Sequence, residues 1–132
     1  MTPESAQKLF LVAAIFNWII ALGLFFVPGL FLSLFFVAPL PEQSVWVQQF
    51  AGLVFTFGCG YYWASRDFYS NQAIVRLAVY GKFGVALIGL LNVLDGDISW
   101  QFMIPASADA VFACLFIVAM RSVSRWQSAA VV

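Results

Sequence analysis

The chain has 132 residues, 64% of them hydrophobic and 9% charged, with a mean hydropathy of +0.96. Soluble chains average about 45–50% apolar and about 25% charged residues, and one small core cannot hide such a surplus from water. The composition therefore points to lipid as solvent. Six basic residues balance six acidic ones, which gives no electrostatic reason to expect a nucleic acid partner.

Residues 9–27 form the first run that meets the roughly 20 apolar residues needed to cross a bilayer core, and Pro28-Gly29 stops it. A signal peptide competes for this position. The run is long for an h-region, however, and Val37-Ala38-Pro39 is a poor cleavage context. Residues 30–38, bracketed by Pro28 and by Pro39 and Pro41, are too few to cross and too apolar for water. They are expected to form an interfacial or re-entrant segment. Residues 45–64 give the second span, ending before Ser65-Arg66-Asp67. Residues 74–94 give the third, closed by Asp95-Gly96-Asp97. Residues 100–120 give the fourth, followed by Arg121, Arg125 and Trp126. The expected fold is a single all-α integral-membrane domain: a four-transmembrane-helix bundle with a short segment between helices 1 and 2.

Charge sets the expected orientation. Lys8, Arg66, Arg76, Arg121 and Arg125 fall on the side that holds both termini, whereas Glu42, Asp95 and Asp97 fall on the other. The positive-inside rule places both termini in the cytoplasm. Trp46 and Trp100 mark the outer interface, and Tyr61, Tyr62, Trp63 and Trp126 the inner one.

The exception among the basic residues, Lys82, lies inside the third span, and Asp109 lies inside the fourth. Ionisable side chains within a span are expensive and are functional candidates by default. At 1.5 Å per residue, Lys82 sits roughly 12–13 Å from the cytoplasmic end of its helix and Asp109 roughly 16 Å from its own, close enough in depth to meet. Asn17 and Thr56 fall at about 12–13 Å, so each helix offers one polar residue to a single layer. Their i±4 neighbours are small: Ala13 and Ala21, Gly52 and Gly60, Ala78 and Ala86, Pro105 and Ala113. Small residues on a shared face let helices approach closely. The pair is either an internal strut or the base of a ligand or proton site. Gln49, near the outer end of span two, is a candidate entrance residue, and Tyr80 a candidate neighbour of the layer.

Other chemistry is thin. Histidine is absent, which removes the commonest zinc ligand and general base. Cys59 and Cys114 form no CxxC and read as small buried hydrophobes. Asp95 and Asp97 lack the spaced ligands of a calcium loop. No nucleophile–base–orienter set, phosphate loop or metal-ligand spacing occurs, so neither metal nor cofactor is expected. Tandem duplication, the usual sign of a secondary transporter, is not evident, though a homodimer could supply a repeat.

The stretch Gly58-Cys-Gly-Tyr-Tyr-Trp-Ala-Ser-Arg-Asp67, with Asn71, Ile74-Val75-Arg76-Leu77-Ala78 and Gly81-Lys82, resembles a pattern in the DoxX-like small four-helix bacterial membrane proteins. The resemblance covers spans two and three. Ser65 before Arg66, and Ala78 where glycine is common, depart from the pattern. It implies a protein of the bacterial cytoplasmic (inner) membrane with no settled activity, sometimes tied to redox or stress systems, and makes Arg66, Asp67 and Lys82 motif residues.

The expected function is non-enzymatic: binding a hydrophobic small molecule, lipid or quinone-like, within the bundle, or serving as accessory subunit of a membrane complex. Membrane lipids, a protein partner or a second copy of the chain are the expected partners. One alternative is a proton-coupled small transporter using the Lys82–Asp109 pair. Another is an isomerase-type enzyme with Asp109 as acid or base on a lipid-like substrate. The lack of a second carboxylate at that depth weighs against hydrolysis.

Overall fold

Thr2 opens the first helix: its hydroxyl accepts the Ser5 backbone N–H at 3.2 Å, Pro3 follows at N1, and Glu4 pairs with Lys8 at 2.8 Å. In the computed structural model, which describes the backbone of residues 1–129 and the side chains of residues 1–123, helix α1 runs over Pro3–Phe26. It starts six residues before the apolar run because this cap and ion pair hold a polar first turn. The other helices are α2 (Pro28–Leu34), α3 (Ser44–Arg66), α4 (Gln72–Asp95) and α5 (Met103–Ala129), with one 3₁₀ turn, Trp100–Phe102, leading into α5. The side chains of Arg125 and Trp126 lie outside the described residues.

Three of these helices, α1, α4 and the stretch Trp100–Val123, are long and apolar enough to cross a membrane. Helix α3 is as long, but Gln48, Gln49, Thr56, Ser65 and its glycines dilute its hydropathy. The expected fourth crossing is therefore not carried by composition. Large side chains such as Ile19, Leu53, Leu77, Leu87 and Val111 are exposed.

Packing is uneven. Helix α1 lies intimately along α3 and α4 along α5, while the two pairs touch each other sparingly. Glycine makes the first contact possible: a Cβ on Gly58 would stand 2.6 Å from the Trp18 indole and 3.4 Å from the Ala14 carbonyl oxygen. Among the described residues the two pairs share an apolar core at one end, where Phe10, Tyr61, Phe68, Val75 and Phe116 are buried together. Phe10 stacks on Phe116 with centroids 4.5 Å apart and lies 5.1 Å from Phe68.

At the opposite end the short helix α2 lies against α1, with Phe31 over Gly23. It ends in a Schellman turn: Phe36 N–H donates to Ser33 O (3.0 Å) and Val37 N–H to Leu32 O (3.1 Å). Phe36 takes the left-handed position, φ 55°, where glycine is usual. The same motif ends α4 with the expected residue, Gly96, at φ 81°. The chain after Phe36 is then tied to the α4–α5 connection. Ser99 N–H donates to Ala38 O at 2.7 Å, Ser99 Oγ accepts from Ala38 N–H at 3.0 Å, and it donates to Phe36 O at 3.2 Å. Residues 30–38 thus form a helix and strap laid across one end of the molecule.

Candidate functional site

Along each long helix the inward residues change character in the same order. On α1, Phe10 and Ala13 belong to the core, Asn17 is polar, and Ile20 and Leu24 face a cavity. On α4 the order is Val75 and Ala78, then Lys82, then Val85. Helices α3 and α5 run the other way and give the same layers: Ala64, Tyr61, Phe57 on one, and Phe116, Asp109, Ala106 on the other. Asn17, Tyr61, Lys82 and Asp109 form a polar floor above the aromatic core.

Lys82 is the centre of that floor. Its side chain is 5% exposed and donates to Asp109 Oδ1, forming an ion pair, and to Asn17 Oδ1 at 3.4 Å. The ammonium lies 5.4 Å from the Tyr61 ring centroid and 5.2 Å from that of Phe112, a geometry that adds cation–π attraction. Asn17 Nδ2 donates to Val54 O at 3.2 Å, so this amide joins α1 to α3 while its oxygen reaches α4. The Tyr61 phenol faces Asn17 and Asp109. The Lys82–Asp109 pair expected from depth is formed, and Asn17 joins it.

Thr56 does not. It is exposed, and its hydroxyl donates to Gly52 O, one turn back, at 2.9 Å. A threonine that satisfies its own helix has no need of the interior, and the inward face of α3 is set instead by Val54, Phe57 and Tyr61. Tyr61, expected at the membrane interface, is 1% exposed and takes the place given to Thr56. Its spacing of four from Phe57 was the available signal. Tyr80 is 76% exposed and points away from the floor. Gln49 is exposed and does not line the cavity. Its neighbour Gln48 donates to Phe25 O at 3.2 Å. Cys114 is exposed and Cys59 half-buried, so neither is the fully buried hydrophobe expected.

Above the floor lies a cavity of about 260 Å³. Its walls are aliphatic and aromatic, its polar side chains are those of the floor, and Phe31, Leu32, Phe35 and Val37 from α2 and the strap roof it. Leu53 and Phe50 line it and are themselves 63% and 42% exposed. The cavity therefore has an edge toward the surroundings on the α3 flank, beside the sparse α3–α4 contact.

Of the motif residues, Arg66 ends α3 and Asp67 opens the turn at the far end. Asp67 Oδ1 accepts the Ser70 N–H at 3.1 Å, and hydrogen bonds from Ser70 hold its carboxyl below the usual range. Asn71 Nδ2 donates to Asp67 O at 2.7 Å. This is the chemistry of a turn that reverses the chain into α4. Among the described residues no group of three His, Cys, Asp or Glu side chains is placed to hold a metal ion. No protein-family model, curated protein or solved structure matches this chain.

Proposed function

We propose that the chain is a four-crossing protein of a bacterial inner membrane, of the DoxX-like kind, with both termini in the cytoplasm, and that it binds a small hydrophobic molecule in the cavity between its two helix pairs. The observation that carries this reading is the cavity itself: about 260 Å³, apolar-walled, roofed by α2 and floored by convergent polar groups. Concave apolar pockets with a few placed polar groups are the usual form of small-molecule sites. Four crossings follow if α3, only one residue shorter than α1 and α4, crosses beside α1, with Gln48 satisfied by Phe25 O and Thr56 by Gly52 O. Among the described residues no paired carboxylates and no nucleophile with a base accompany the floor, which favours binding over catalysis.

Native mass spectrometry of the protein released from its membrane tests the reading. The wild type is expected to carry an added mass of one small molecule. Ala106→Trp, which fills the cavity from a buried wall position, is expected to lose it while remaining folded. A wild type that carries nothing, or an Ala106→Trp protein that keeps its guest, overturns the proposal. The Lys82–Asp109 pair also favours a second reading, a proton-coupled carrier, because Asp109 is 23% exposed beside the cavity. Unchanged flux through reconstituted Asp109→Asn protein removes that reading.

A further inference from the structure

We infer that the cavity selects an uncharged, single-chain amphiphile ending in a hydroxyl or carbonyl group, and rejects the same chain ending in a carboxylate, phosphate or amine. The inference rests on the cavity being a binding site and names the class of its guest. Of the residues lining the cavity, Lys82 and Asp109 alone carry charge, and each neutralises the other. A guest arriving with its own charge would be buried without a counter-ion, which costs far more than burying a neutral polar group. It could recover that cost only by breaking an ion pair that Asn17 and two aromatic faces support.

The floor nevertheless has hydrogen-bonding capacity to offer. An ammonium has three donors, and among the described residues Lys82 uses them on Asp109 and Asn17. One donor is left. Asp109 accepts through Oδ1, and Oδ2 takes no hydrogen bond from a described residue. One donor and one acceptor side by side fit a hydroxyl, which accepts from the first and donates to the second. A carbonyl uses the donor alone. Size narrows the class further: about 260 Å³ holds the end of one chain, not the headgroup and paired tails of a phospholipid. The opening beside Leu53 lets the rest of such a chain lie outward between α3 and α4.

The test is a titration of detergent-purified protein with dodecan-1-ol, dodecanoate and dodecylamine, the same chain carrying three charges, read by native mass spectrometry. Wild type is expected to bind the alcohol about tenfold or more tightly than either ion, a difference of about 1.4 kcal/mol. Asp109→Asn leaves the floor with a net positive charge and is expected to raise dodecanoate affinity about tenfold. Should that variant fold poorly, the neutral double variant Lys82→Met/Asp109→Asn serves instead. It is expected to go on rejecting dodecanoate while losing about tenfold on the alcohol, since the floor keeps neutrality but not the ammonium. Equal binding of all three probes to wild type, or a preference for dodecanoate, overturns this inference and leaves the cavity as a binding site. Binding of none of them overturns both.

Discussion

Lys82 meets its surroundings through a carboxylate, an amide oxygen and two ring faces, supplied by three different helices. In a medium that cannot solvate a stray charge, such an arrangement is stable only while complete. Removing one partner of a buried pair costs about 3–5 kcal/mol, whereas replacing both with apolar or neutral groups is often close to neutral. Lys82→Met and Asp109→Asn are each expected to lower the detergent unfolding temperature. Lys82→Met falls toward the lower end, because the carboxylate left behind keeps 23% exposure. The double variant is expected to recover most of the loss. A double variant as unstable as the sum of the singles would mean that the two side chains do not support each other.

The helices were legible in the sequence to a greater degree than the faces they turn inward. Length and apolar runs find all four long helices, and the ends differ most where α1 begins six residues early on its Thr2 cap and α5 continues nine residues beyond its apolar run. Depth along a helix is likewise legible, which is why Lys82 and Asp109 meet as expected. Rotation about the axis is not. Gly52 and Gly60 beside Thr56 suggested close packing; a Cβ on Gly52 would meet nothing within 4 Å, whereas one on Gly60 would stand 2.9 Å from Ile74 of α4. Toward α1 the close approach on α3 is at Gly58. Gly58→Ala is expected to cost about 1–3 kcal/mol through overpacking against Trp18 and the Ala14 carbonyl. Gly52→Ala, in open space, is expected to be neutral or to stabilise by up to about 1 kcal/mol through helix propensity. Thermal unfolding of the two variants, compared side by side, checks which face is buried. Equal effects would mean that α3 is rotated.

At the scale of the whole molecule, the layers define two ends. The Asp67–Asn71 turn lies at the aromatic end with the start of α1, and the strap, the Ser99 tie and the Asp95–Asp97 turn lie at the other. With four crossings these ends occupy opposite sides of a membrane. In a background with Cys59 and Cys114 changed to Ala, Asp97→Cys is expected to react with an impermeant maleimide in intact spheroplasts. Ser70→Cys is expected to react only after lysis. Labelling of both from one side would remove the four-crossing topology. Where the strand of chain after α2 finishes was not legible, because Ser99 gives no hint of a partner more than sixty residues away.

The two tightly knit couples, α1 with α3 and α4 with α5, meet along a seam fastened chiefly by the aromatic cluster below and the serine tie above. Between those fastenings, the amide–lysine contact is the cross-link at half height. Were the cavity to take a guest from its α3 flank, as proposed, the seam would need to part only over a short length, and each couple could stay intact while it did so. Exchange with the surrounding oil through that edge would then need no helix to melt.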